Sequence, residues 1–106
     1  MTTSSPPSEK PFTVVLTRRV RKEIENAAAW WRQNHGDATS PLDAQLADAF
    51  VALAVHPGLG FERQFRTQVV RVWRLACGFF VLYRVRPRRR EIEIVHVVHA
   101  SRLYAS

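Results

Sequence analysis

A chain of 106 residues with sixteen Lys/Arg against nine Asp/Glu, a net charge of +7, has room for one domain and a modest core. Its single cysteine, Cys77, excludes a disulfide framework and a thiolate metal site within the chain, which agrees with a reducing cytoplasmic setting. No apolar run approaches the roughly 18–20 residues that span a bilayer, and the amino terminus lacks the apolar stretch of a signal peptide, so no membrane partner is expected.

Residues 1–11, MTTSSPPSEKP, predict a disordered polar tail, and a single domain is expected over 12–106. Phe12 to Leu16 reads as a short strand. Thr17 then offers a hydroxyl as helix N-cap. From Arg18 to about His35, the apolar positions Val20, Ile24, Ala27, Ala28 and Trp31 recur at helical spacing. Trp30, about 100° around the helix from Trp31, is expected to widen the buried stripe; its alternative role is an exposed anchor. Gly36 suits the left-handed position beyond the helix end.

A second helix begins with Ser40 as N-cap, Pro41 at N1 and Asp43 at N3. Leu42, Leu46, Ala49, Phe50 and Leu53 carry its period to about His56, where His56-Pro57-Gly58-Leu59-Gly60 stops it. Three apolar runs follow: Val69 to Leu75, Phe79 to Val85 and Ile92 to Val98. Their Val, Ile, Phe, Tyr and Trp content predicts an antiparallel meander. It turns at Ala76-Cys77-Gly78 and again at Arg86 to Glu91, where Pro87 marks the break. The expected fold is therefore α+β, in the order β-α-α-β-β-β, with a helical hairpin on a small, mainly antiparallel twisted sheet.

Charge follows the same division. Residues 1–62 hold six Lys/Arg and seven Asp/Glu, whereas residues 63–106 hold ten Arg, no Lys and two Glu. The basic character lies on the strands, which predicts an acidic partner, either nucleic acid or an acidic protein segment. Alternation places Phe79, Val81, Tyr83 and Val85 on one face of the middle strand and Phe80, Leu82, Arg84 and Arg86 on the other. It likewise groups His96 and Val98 with Ile92 and Ile94. One sheet face is expected to pack on the helices. The other is expected to carry Arg71, Trp73, Arg84 and Arg86 among apolar residues, a mixture suited to nucleic acid or a partner helix.

The order of these pieces resembles the RelE/ParE superfamily of type II toxins, over Phe12 to Arg102. The strand Phe12 to Thr17 leads straight into a helix. Leu53-Ala54-Val55-His56-Pro57-Gly58 ends the second one. Val70-Arg71-Val72-Trp73-Arg74 precedes Gly78-Phe79-Phe80-Val81-Leu82-Tyr83-Arg84-Val85, which is similar to the family's G-x-x-x-x-Y-x-V strand. Ile94 to Arg102 is similar to the ParE-type ending, an apolar strand and then His99-Ala100-Ser101-Arg102.

The resemblance implies a plasmid-stabilising or growth-inhibiting toxin held in a hetero-oligomer by a cognate antitoxin. RelE-like members are ribosome-dependent, metal-independent mRNA endonucleases, for which Arg71, His99, Arg102 and Tyr104 are the candidates here. ParE-like members poison DNA gyrase without catalysis. Phe80 stands where the RelE pattern expects an arginine after the Gly-aromatic pair, and the His-x-x-Arg ending is ParE-like, so the ParE-like branch is favoured. Arg71, Trp73, Arg74, Arg84, Arg86, His99 and Arg102 are then the residues expected to meet target or antitoxin.

Each of these has a plainer reading. His96 is expected to be a satisfied core or edge histidine. His96 and His99 lack a third ligand, so neither a metal nor any cofactor is expected. His99 and Arg102 either close the sheet end or contact a partner. Arg88-Arg89-Arg90 is a solvated hairpin tip or an electrostatic footprint. Cys77, with no base beside it in sequence, is assigned no nucleophilic role.

Overall fold

The computed structural model describes residues 10–36 and 40–103, with the side chains of 102 and 103 left aside. The polar tail expected over 1–11 lies, but for Lys10 and Pro11, outside the described residues, as does Tyr104. The elements are β1 (Thr13–Leu16), α1 (Arg18–His35), α2 (Leu42–Val55), β2 (Phe61–Phe65), β3 (Gln68–Arg74), β4 (Phe79–Arg86), β5 (Glu91–His99) and a short α3 (Ala100–Leu103). The sheet order is β1-β5-β4-β3-β2; β1 runs parallel to β5 and every other pairing is antiparallel. The α+β architecture is the expected one, two helices on a mainly antiparallel sheet, with β2 added at the edge.

Local signals account for most boundaries. Thr17 Oγ1 accepts from Val20 N at 3.1 Å and caps α1. Gly36, at φ 62°, ends it. Ser40 Oγ accepts from Leu42 N at 3.1 Å, so its hydroxyl caps the first turn of α2. The helices lay Val20, Ala27, Leu42, Leu46, Ala49 and Leu53 against Val81, Tyr83, Ile92 and Ile94. Each fully buried leucine there contributes about 2 kcal/mol of apolar transfer.

Register corrects the expected faces. Arg71 pairs with Tyr83 and Trp73 with Val81, so Arg71 and Trp73 lie on the helix side. The opposite face holds a second cluster, Val70, Val72, Phe80, Leu82 and Val98. Around it stand Arg74, opposite Phe80; Arg84, opposite Glu93; and Arg86, opposite Glu91. A bulge causes a further departure. Leu82 pairs with His96 but Tyr83 pairs with Ile94, which leaves Val95 unpaired. Beyond it the alternation inverts: Val97 joins the helix side and Val98 the open face.

Candidate functional site

The open end of the helix-side layer forms a cleft of about 460 Å³, lined by Glu23, Asn26, Ala27 and Trp30 of α1 and by Phe79, Val97, His99 and Ser101. Trp30 is 40% exposed. Its ring sits 5.0 Å from that of His99 and 5.9 Å from that of Phe79, and Phe79 and His99 meet edge-on at 5.2 Å. Trp31, about 100° further round the helix, stacks on His35 at 3.7 Å. Trp30 is thus not part of the fully buried stripe, though one side of its ring packs on Phe79.

His99 is fixed by the turn into α3. Ser101 N donates to its Nδ1 at 3.2 Å, so the neutral ring carries its proton on Nε2. Nε2 faces Gly78, where a side chain would begin only 3.6 Å away. At the floor, Glu23 joins helix to sheet. Its carboxylate accepts from Val97 N at 2.9 Å and from Nδ1 of His96 at 2.9 Å. His96 is thus buried and satisfied, as expected of a structural histidine. Glu23 was not among the residues singled out by sequence; nothing about an acidic residue in a basic amphipathic helix marks it as a partner for a strand bulge.

Arg71 lies elsewhere. Its Nη2 donates to the carbonyl oxygens of Gly58 (3.0 Å) and Gly60, and Nη1 stands 3.8 Å from Glu62. Beside it, Tyr83 Oη accepts from Gly60 N and donates to Pro57 O, both at 2.9 Å. Arg71 and Tyr83 together pin the loop between α2 and β2. Trp73 packs half-buried against the helix-side core, and Arg74 is exposed at the end of β3.

Arg84 and Arg86 share one carboxylate oxygen. Glu93 Oε1 accepts from Arg84 Nε at 3.2 Å, Arg84 Nη2 at 2.8 Å and Arg86 Nη2 at 2.8 Å. The hydrogen bond from Arg84 leads in holding the Glu93 carboxyl below its ordinary value, with Arg86 reinforcing it against the opposing effect of burial. Two cations on one anion leave this patch positive. The sequence-predicted residues thus divide into three places: His99 in the cleft, Arg71 at the loop, and Arg84 and Arg86 on the open face. Arg102 lies in α3, and its side chain is outside the description. Among the described residues, no three His, Cys, Asp or Glu side chains group as metal ligands.

Residues 14–104 match the family model described as the ParE toxin of the type II toxin–antitoxin system parDE. No curated relative matches the chain. Among solved structures, the toxin–antitoxin complex RelBE2 from Mycobacterium tuberculosis is similar at 22% identity and TM-score 0.62, over 84% of this chain and 91% of that one. The isolated E. coli RelE toxin is similar at 16% identity and TM-score 0.61, over 89% of each chain. At these identities the structural likeness speaks to the fold.

Proposed function

Since the chain belongs to the ParE toxin family of type II toxin–antitoxin systems, we propose that it arrests growth by binding DNA gyrase in the cytoplasm without catalysis, and that a cognate antitoxin silences it. One observation carries the non-catalytic half. Arg71 pairs with Tyr83 and His99 pairs with Phe79, four residues apart on β4 and on opposite sides of it. Strand geometry then separates Arg71 and His99 by roughly 16 Å between α-carbons. Cleaving RNA needs a cation and a proton-transfer group around one phosphate. Here Arg71 is spent on loop carbonyls and His99 stands in an aromatic cluster.

The cleft at Trp30 supports the antitoxin half. It is a concave, aromatic-walled seat of a kind that an amphipathic segment fills with apolar side chains. Similarity to a RelBE2 complex supports a protein partner of this type. The test is a supercoiling assay with purified gyrase beside a ribosome-bound mRNA cleavage assay. Inhibited supercoiling with intact mRNA is expected. Cleavage of mRNA in the ribosomal A site, lost on Arg71→Ala or Arg102→Ala, overturns this reading in favour of a RelE-like endonuclease.

A further inference from the structure

The turn between β4 and β5 carries Pro87, Arg88, Arg89 and Arg90, all exposed. It is held in one shape. Arg89 N donates to Arg86 O and Arg90 N to Pro87 O, each at 3.2 Å, and Arg90 takes φ 52°. Thr13 N donates to Arg90 O at 2.9 Å, which ties the turn to β1. The Arg90 guanidinium lies 4.6 Å over the Phe12 ring and donates to Lys10 O. Arg88 and Arg89 make no ion pair among the described residues. Just behind them stand Arg84 and Arg86, both bonded to Glu93, with Glu91 across the strand from Arg86. Beyond Tyr83, β4 has no register partner on β3, while β5 stays paired with β1 from Glu91 to Ile94, so β4 is the open edge at this end of the sheet.

From this arrangement we infer that the β4–β5 hairpin end is a phosphate-binding element for duplex DNA, built from Arg88 and Arg89 at its tip and Arg84 and Arg86 behind. One feature favours DNA over an acidic protein segment. The four-residue tip presents no apolar surface beyond Pro87, so an amphipathic peptide finds no anchor there. Every cation of the four is arginine, whose planar fork matches phosphate oxygens two at a time, as it does the oxygens of a carboxylate. Recognition is by charge, without base selection. The inference does not need gyrase; it concerns direct contact between this chain and DNA.

The test is fluorescence anisotropy of the full chain with a 20-base-pair duplex between 50 and 200 mM salt. Four phosphate contacts lower the affinity about 150-fold over that range, and two contacts lower it about 12-fold. Arg88→Ala with Arg89→Ala is expected to move the protein from the first behaviour to the second. Both side chains are exposed, so the thermal midpoint is expected to stay in place. Glu93→Gln removes the anion between Arg84 and Arg86 and is expected to tighten binding several-fold. The inference is overturned if the double variant keeps the wild-type salt slope, if wild-type binding ignores salt, or if Glu93→Gln binds no tighter. It is overturned also if a 20-residue glutamate peptide displaces the labelled duplex at lower concentration than unlabelled duplex does; the hairpin end then belongs to an acidic protein.

Discussion

The phenolic oxygen of Tyr83 accepts the amide hydrogen of Gly60 at 2.9 Å, in a site where Tyr83 has no exposed surface. The same oxygen donates to Pro57 O. Tyr83→Phe therefore strands a buried donor and a buried acceptor, and a loss of about 1–3 kcal/mol is expected. Gly60→Ala is expected to be at least as costly. Its β-carbon would lie 2.7 Å from Val72 O and 2.8 Å from Tyr83 Oη, so backbone has to move. Urea unfolding of the two variants checks this; unchanged midpoints would mean that the loop is not pinned by this contact.

Glu23 ties α1 to the bulge of β5 through Val97 N and His96 Nδ1. Glu23→Ala leaves both groups without their acceptor. A loss of about 2 kcal/mol is expected, which for a domain of this size lowers the thermal midpoint by about 8–16 °C. Calorimetry measures it directly. Glu25→Ala, on the exposed side of the same helix, is the control and is expected to shift the midpoint little.

Acid dependence follows from Glu93. Its carboxyl is held below the ordinary value in the fold, first by the Arg84 hydrogen bond. A depressed folded value means that the stabilisation is complete above the unfolded value, near 4.5, and drains away as pH falls through the folded one. The arginines are about 39% exposed, so solvent screening holds the contribution to about 1 kcal/mol or less. Wild type and Glu93→Gln are expected to differ at pH 7 and to converge as pH falls through the depressed folded value, below 4.5. A gap that widens on acidification would contradict the assignment.

Trp30 stands free enough to be removed without emptying the core. Trp30→Ala is expected to keep the fold, by circular dichroism, while weakening the antitoxin complex by about 2 kcal/mol or more, some thirtyfold in Kd. Calorimetric titration with the cognate antitoxin decides it. Equal affinity would move the antitoxin seat away from this cleft.

The helices and the meander were legible because each carries its own period and its own stop. Leu42, Leu46, Ala49 and Leu53 repeat as one buried helical stripe, and all four are in the core. Edge strand β2 was not legible. Its FERQF has a polar middle, and its turn into β3 uses Arg66 at φ 59° where a glycine or asparagine would signal a hairpin. The two-sided distribution of arginine was also hidden. Strand alternation sorts residues within a strand, but which faces coincide depends on register, and the bulge at Leu82/Tyr83 shifts it by one. The cleft escaped for a third reason: Trp30 and His99 are sixty-nine positions apart in the sequence, and only the packing of α1 on β5 brings their rings within 5.0 Å.

The eight residues of β4 set a ruler on this molecule. Phe79, in the aromatic seat, opens the strand, and Arg86, at the root of the arginine turn, closes it. Strand rise makes that span about 23 Å. Seven positions apart on a strand, Phe79 faces the helices and Arg86 the opposite side, so one straight rod cannot lie on both stations, and an occupant of either would leave the other accessible.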